Sequence, residues 1–189
     1  MTMLNGRYRE LKLDNGLFVA LQDTPSGTIA GRLRVHHGAL NEFPGEEGIA
    51  HFLEHGLMTG GTAKYSPLEA DAIRESFPDY NASTDRNKTI FPVSLLAEDV
   101  GTYLDFVSDL SFHPRLDPAR VEEERQRVLR EMADNKSRPA FGDNEDYMKA
   151  LLGDGPYTYY VLGKEDNIQR FTPTDLSAFH ERGYVANNM

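Results

Sequence analysis

The spacing of apolar residues changes along this chain, from a strand-like alternation near the start to a helical repeat in most of the remaining sequence. Residues 8–13 and 17–21 flank the turn signal Asp-Asn-Gly at 14–16, which together predict a β-hairpin. Residues 28–35 alternate again and predict a third strand. Strands that come first and helices that come later favour the α+β class.

The later elements are predicted from helical spacing and from capping residues. Ser66, Pro67 and Glu69 combine a cap, a first-turn proline and a capping box, so a helix begins there and ends before Pro78. Two Pro-containing starts of the same kind precede later helical patterns. In all, we predict helices at about 49–58, 66–77, 95–110, 118–136, 144–152 and 172–183, and a strand pair at 81–84 and 89–94.

These elements predict an α+β fold in which a mixed, largely antiparallel sheet carries helices packed on one face. The chain has 189 residues and shows no linker or repeat, so we expect residues 1–189 to form one domain. The sequence stops at a turn-like Asn187-Asn188 directly after a helix. We therefore expect further strands to follow, which would make this a domain truncated at its C-terminal end.

Composition limits the partners of the chain. The formal net charge is −10, which disfavours nucleic acid because phosphate neutralisation supplies most of the affinity there. No apolar run approaches the roughly 20 residues of a membrane-spanning helix, and the start lacks the apolar segment of a secretory signal. We expect no membrane partner and a cytoplasmic location, with an organelle or the periplasm as alternatives. Cysteine is absent, so any metal must be held by His and carboxylates.

The segment His51-Phe-Leu-Glu54-His55 carries the clearest chemical signal. Residues four apart on a helix lie on the same face, so His51 and His55 can present two imidazoles to one zinc ion. Glu54 borders the same site without needing to bind the metal, and its natural role is that of a general base on water. The competing interpretation is an amphipathic helix with two solvated or core histidines, since such a motif also arises by chance.

A catalytic zinc needs a third protein ligand, and the charged helix after Pro118 offers several carboxylates. Glu124 and Glu131 are seven positions apart and share a helix face, so one can bind the metal while the other orients a ligand from one layer further out. A solvated surface helix is the competing interpretation, and spacing alone does not decide between the two. The candidates are Glu122, Glu123, Glu124 and Glu131.

Together, His51-x-x-Glu54-His55 and Glu131 within Val-Leu-Arg-Glu-Met resemble the pitrilysin/insulinase family of inverted-motif zinc peptidases, which includes mitochondrial processing peptidase. The neighbouring segments are also similar, and the likeness extends over nearly the whole chain. Further matching segments are Gly48–His55, Gly61–Tyr65, Asn81–Thr84, Phe179–Tyr184 and Asn187–Met189.

The resemblance implies a role for each matching residue. It implies that His51, His55 and Glu131 bind one zinc ion and that Glu54 is the catalytic base. Glu124 matches a glutamate that does not bind the metal itself but contacts one of its ligands and orients it. The remaining implied positions, Asn81 and Ala82, match a segment along which the substrate backbone lies as an added strand.

The predicted function is that of a zinc-dependent endopeptidase acting on peptides or unfolded segments. Members of the family enclose the substrate between two homologous halves, so we expect a second half, a partner subunit or a second copy of this chain. Without it the isolated chain would cleave poorly, because closure excludes water and fixes the peptide. One alternative is a non-catalytic subunit of the same fold that binds a peptide or partner. Another is a metal-dependent hydrolase of small molecules.

Overall fold

The structure is a computed structural model that describes residues 8–139 and 142–189. Residues 1–7, 140 and 141 belong to the predicted domain but lie outside the described residues. That the chain forms one domain stays a prediction. The strands are β1 (Tyr8–Lys12), β2 (Phe18–Gln22), β3 (Thr28–Val35), β4 (Gly61–Thr62), β5 (Ser83–Thr84), β6 (Thr89–Leu96) and β7 (Pro114–Arg115).

The strands form three small sheets in the described part of the chain. In the first, β1 and β2 pair as a hairpin. The second has the strand order β3-β6-β5, and in the third β4 pairs with β7. Every pairing is antiparallel. The α+β class and the antiparallel character predicted from the sequence are therefore confirmed. β5 lies at an edge of its sheet, and its backbone is open on one side.

Helices make up most of the remaining structure, and their starts follow local capping chemistry. Ser66 and Glu69 form the predicted capping box, with the Ser66 side chain accepting from the Glu69 N–H. Thr172 and Asp175 form another. The helices are α1 (Ile49–Thr59), α2 (Pro67–Ser76), α3 (Val100–Phe112), α4 (Pro118–Lys136), α5 (Asp143–Leu152), α6 (Glu165–Arg170) and α7 (Pro173–Gly183).

The predicted element map is wrong at one boundary and misses several short elements, among them β4, β7 and α6. The helix predicted from residue 95 begins at Val100, because β6 continues to Leu96 and a 3-10 turn at 97–99 separates the two. Leu95 is buried as part of the alternating face of β6, not as part of a helical stripe. The six-residue helix α6 was not predicted, because one and a half turns are too short for a periodic pattern.

The main hydrophobic core surrounds α1. Phe52 and Leu53 are completely buried, as their positions between the two histidines predict. Each contributes roughly 1.5–3 kcal/mol of transfer free energy. They pack with residues of α4 and α7, such as Val128 and Leu176, in one contiguous cluster. The side of α1 opposite to the histidines thus anchors the helix in the core.

Both ends of α1 are fixed by specific contacts. At its start, Gly48 has a left-handed backbone (φ 101°), and a Cβ there would lie 2.8 Å from the carbonyl oxygen of Leu162. The Glu42 carboxylate accepts the N–H groups of Gly48 (3.1 Å) and Ala50 (3.0 Å). At its end, the buried Arg74 guanidinium donates to the carbonyl of Gly60 at 3.0 Å. A helix held at both ends presents its side chains in a fixed direction.

The long helix α4 lies against α1. Asp117 caps it by accepting the N–H groups of Ala119 (2.9 Å) and Arg120 (3.2 Å). Its buried apolar face includes Val121 and Val128, which are seven positions apart. Glu124 and Glu131 each follow one of these valines by three positions and lie on the side of α4 that faces α1. None of the described helices is both long and apolar enough to cross a membrane.

Candidate metal centre

α1 and α4 bring three potential metal ligands together. One ligand atom each from His51, His55 and Glu131 lies within 4.8 Å of the other two. The Glu131 Oε2 atom is 3.6 Å from Nε2 of His51 and 3.5 Å from Nε2 of His55. The residues whose spacing suggested a shared site are thus adjacent in space, with the carboxylate supplied by the second helix.

The two imidazoles face the same point because they lie one helical turn apart. Their ring centroids are 4.7 Å apart and their planes are nearly perpendicular, at 79°. Tetrahedral zinc with bonds of roughly 2.0–2.2 Å separates its ligand atoms by roughly 3.3–3.6 Å. The two distances to the Glu131 oxygen fall in or next to that range, so the donor set fits zinc in its chemistry and in its spacing.

Glu124 lies behind His55 and fixes its ring. Its Oε2 accepts a hydrogen bond from Nδ1 of His55 at 3.0 Å, and Glu124 itself is 2% exposed. A proton held on Nδ1 leaves the lone pair of Nε2 directed toward Glu131. Of the two carboxylates left open by spacing, the structure therefore places Glu131 beside the imidazole Nε2 atoms and Glu124 on the far side of one ring.

Burial and charge set the protonation of the two histidines. Burial, together with the nearby His55, lowers the pKa of His51 to about 3, so this ring is neutral and its lone pair is available. Burial alone would lower the pKa of His55 as well. The hydrogen bond to Glu124 and the charges of Glu54, Glu124 and Glu131 outweigh it and raise that pKa. Nδ1 of His51 is buried and has no hydrogen-bond partner in the described part of the chain. The burial of this ring is therefore not explained by a hydrogen bond at Nδ1.

Glu54 lies beside this group but outside it. Glu54 is 8% exposed, and its Oε2 accepts a hydrogen bond from the Thr84 hydroxyl at 2.5 Å. Burial raises the pKa of Glu54, against the opposing effect of the Thr84 hydrogen bonds and of His55. A carboxylate whose pKa is moved toward neutrality is suited to accept and return a proton.

An open cavity of about 640 Å³ lies over the three ligands and Glu54. Asn81 and Ala82 line this cavity, followed by the two residues of the edge strand β5. The segment predicted to lie along a substrate backbone is thus next to the candidate metal ligands. Arg127 of α4 is the one cationic side chain among the described residues that line the cavity.

Three of the other four histidines contact groups away from the candidate metal centre. His37 and His180 are buried, and their Nε2 atoms bond to the carbonyl oxygens of Phe179 (3.2 Å) and Ser111 (2.9 Å). His113 is exposed and pairs with Asp109 at 3.2 Å. Two residues of the site, Thr84 and Arg127, were not singled out by sequence reasoning. Arg127 follows Glu124 by three positions, a spacing that indicates contact on a helix, whereas no sequence signal points from Thr84 to Glu54.

A pair of histidines one turn apart, a carboxylate from a second helix and a glutamate beside them define the class of zinc metallopeptidases in which the motif is inverted. The sequence matches the family model described as Insulinase (Peptidase family M16) over residues 18–155. The chain belongs to this family, and the family predicted from the motifs is confirmed.

Similar proteins share the sequence and the fold along most of this chain. The beta subunit of mitochondrial-processing peptidase from Blastocladiella emersonii is 29% identical over 94% of the chain and 38% of that protein. An uncharacterized zinc protease of Mycobacterium leprae is 32% identical over 94% of the chain and 40% of that protein. The crystal structure of the periplasmic protease PqqL from Escherichia coli matches with a TM-score of 0.89 and 25% identity, over 100% of the chain and 22% of that protein. The chain thus spans less than half the length of these relatives.

Proposed function

We propose that this chain is the zinc-binding catalytic part of an endopeptidase that hydrolyses peptides or unfolded segments of proteins. The observation that carries the proposal is the convergence of His51, His55 and Glu131 within 4.8 Å, with Glu54 directly beside them. Membership of a metallopeptidase family supports the same conclusion.

In the proposed site, Nε2 of His51, Nε2 of His55 and a carboxylate oxygen of Glu131 hold one zinc ion. When bound, zinc supplies Lewis-acid chemistry that polarises a carbonyl and lowers the pKa of water to about 7. Glu124 keeps the proton of His55 on Nδ1 and so keeps Nε2 free to bind. The neutral His51 needs no proton to be displaced before it binds.

Glu54 is the proposed general base. Its carboxylate accepts the proton of the attacking water and later donates it to the leaving amine of the cleaved peptide bond. The Thr84 hydroxyl occupies one lone pair of Oε2, which fixes the orientation of the carboxylate. Glu54 belongs to the same helix as the two histidines, so the base and the ligands keep a constant separation.

The substrate is proposed to add as a strand beside β5, along Asn81 and Ala82. β5 is an edge strand, and these residues line the cavity over the ligands. Strand addition binds main-chain groups and therefore suits peptides and unfolded segments of varied sequence. We further propose that a homologous second half, a partner subunit or a second copy of the chain closes the cavity. The similarity to a protein named as a subunit supports this pairing.

Zinc titration of the purified chain tests the metal site. After removal of metal with a chelator, we expect one zinc per chain in competition with a fluorescent zinc indicator. Failure of the folded chain to bind zinc would overturn the proposal and would favour the non-catalytic peptide-binding alternative.

Glu54→Gln tests the base in the protein's natural assembly. This change keeps the size of the side chain and removes its basicity, so we expect zinc binding to be retained and cleavage of a quenched unfolded peptide to be nearly abolished. Normal turnover by a zinc-loaded Glu54→Gln protein would show that another group accepts the proton. Comparing the rates at which the unmodified protein hydrolyses the peptide and a small ester would identify the alternative of a small-molecule hydrolase.

A further inference from the structure

Arg127 occupies an unusual position beside the candidate metal centre. It is the one cation among the described residues that line the cavity, and it lies three positions after Glu124 on α4. Its Nη1 atom is 2.9 Å from Oε1 of Glu124. The Glu124 side chain is 3% exposed, whereas that of Arg127 is 56% exposed. A solvated cation thus contacts a carboxylate that is almost completely removed from water.

The two oxygens of Glu124 have different partners. Oε2 accepts the hydrogen bond from Nδ1 of His55 at 3.0 Å, and Oε1 pairs with Arg127. A glutamate carboxylate that is hydrogen-bonded at one oxygen alone can rotate about χ3, because the energy profile of that torsion is broad and shallow. A second contact at the other oxygen restricts this rotation and keeps Oε2 directed at His55.

We propose that Arg127 is a positioning residue for the metal centre: it holds Glu124 in the orientation that fixes the His55 ring for zinc. This inference rests on the proposed zinc site and extends it by one layer. The contacts form a continuous series from the guanidinium to the carboxylate, then to Nδ1 of His55, and through the ring to Nε2, which lies 3.5 Å from Glu131.

The sign of the effect on zinc affinity separates positioning from simple electrostatics. A cation near a metal site repels the metal, so loss of the Arg127 charge alone would tighten zinc binding. Loss of the positioning contact would weaken it. Outer partners of metal ligands typically contribute 10–100-fold to affinity, and exposed ion pairs contribute less than about fivefold. For Arg127→Gln we expect zinc affinity to fall by about 3- to 10-fold.

Zinc affinity is measured by chelator competition on the isolated chain, for the parent and for Arg127→Gln, Arg127→Lys and Arg130→Gln. Arg130 is exposed on the same helix and carries the same charge, so its replacement removes a positive charge from α4 without removing the contact to Glu124. We expect Arg130→Gln to leave the affinity unchanged or slightly tighter. Arg127→Lys retains a charge at the same place and should recover part of the loss, since lysine reaches a carboxylate as a point charge without the planar fork.

A double-mutant cycle with Glu124→Gln tests whether Arg127 acts through Glu124. In the Glu124→Gln background the carboxylate is gone, so Arg127→Gln should no longer weaken zinc binding and should leave it unchanged or tighter. Equal weakening in both backgrounds would overturn the inference, as would tighter binding by Arg127→Gln alone. A parent chain that binds no zinc would instead overturn the proposed function itself. Circular dichroism of each variant shows whether the fold is retained.

Discussion

Two pairs of buried or half-buried histidines in this molecule have different partners. His51 and His55 lie one helical turn apart on α1 and direct Nε2 atoms at the carboxylate of Glu131. His37 and His180 bond instead to backbone carbonyls and contact aromatic rings, with the His180 ring stacked on Tyr184 at 4.6 Å. Burial is therefore no guide to function for a histidine. The informative property is whether its nitrogen is directed at a group of the fold or at a carboxylate that borders a cavity.

Replacing one histidine in each pair should give the clearest difference between the two pairs. His55→Ala removes a ligand, so we expect zinc affinity to fall by more than the roughly 100-fold that loss of an outer partner can cost. His180→Ala leaves the buried carbonyl of Ser111 without a donor and should lower the free energy of unfolding by about 2–3 kcal/mol. Zinc titration and urea unfolding of both variants are the measurements. If His180→Ala kept its fold but no longer bound zinc, the assignment of His180 to the fold and of His55 to the metal centre would be wrong.

The surroundings of His37 can be tested by crowding them. A Cβ at Gly183 would lie 2.0–2.4 Å from atoms of the His37 ring, so the ring or the end of α7 must move in Gly183→Ala. We expect a loss of about 3 kcal/mol or more in the free energy of unfolding. Gly101→Ala is the matched control, because a Cβ there meets nothing within 4 Å, and this exposed position on α3 should gain about 0.5–1 kcal/mol. Equal effects of the two changes in urea unfolding would refute the packing at His37.

The pH dependence of stability reports on the buried His37 ring. Burial, with smaller effects of Arg182 and His180, lowers the pKa of His37 from 6.5 to about 4, although its bond to the Phe179 carbonyl and the charge of Glu46 oppose this. Above pH 6.5 the ring is neutral whether the chain is folded or unfolded, and the contribution of His37 to stability is fully present. Between pH 6.5 and about 4 the His37 ring of the unfolded chain binds the proton more readily, so this contribution falls as the pH falls, by up to about 3 kcal/mol.

Urea unfolding of the metal-free chain at pH 7.5, 6 and 4.5 measures this slope. We expect a smaller slope for His37→Gln, because glutamine retains a donor for the carbonyl and has no titrating group in this range. An unchanged slope would show that the loss of stability at low pH arises from other groups.

The smallest expected effect concerns the hydroxyl that holds Glu54. Thr84→Val keeps the shape of the side chain and removes the 2.5 Å hydrogen bond to the carboxylate. We expect peptide cleavage in the natural assembly to fall about tenfold through kcat, since a hydrogen bond to a charged group contributes about 1.5–3 kcal/mol. Zinc affinity should be unchanged because Glu54 is not a ligand, and Thr84→Ser should recover most of the activity. A change in zinc affinity would place Thr84 on the metal side of the site.

Local chemistry explains which parts of the fold were predictable. The starts of α2, α4 and α7 depend on caps within four residues, such as Ser66 with Glu69, and the sequence alone identifies them. The boundary between β6 and α3 was misplaced because Leu95 and Leu96 satisfy a strand pattern and a helical pattern equally well. Leu95 belongs to a smaller core cluster that also contains Tyr103 and Val107 of α3, and this packing between elements, which is tertiary, decides the outcome.

The candidate site was predictable to a similar extent. The i, i+4 relation of His51 and His55 is local and placed both on one face. Spacing left Glu124 and Glu131 equivalent, and the structure distinguishes them because Glu124 contacts Nδ1 of His55 whereas Glu131 lies beside its Nε2. The contacts of Thr84 and Arg127 were not foreseen. The first joins β5 to α1 between residues 30 positions apart, and no periodic pattern encodes such a contact.

The close approach of Gly48 to the backbone at Leu162 has a consequence for the shape of the cavity. Lys164 donates its N–H to the carbonyl of Glu47 at 3.2 Å, and the buried Asn167 amide donates to the Glu47 carboxylate at 2.7 Å. The segment that supplies Val161 and Leu162 to the cavity wall is therefore joined to the helix that bears the histidines. The width of the opening on this side is set by main-chain atoms. Exchanging side chains there alters what the wall prefers to contact, whereas inserting one residue would alter how far the wall stands from the ligands.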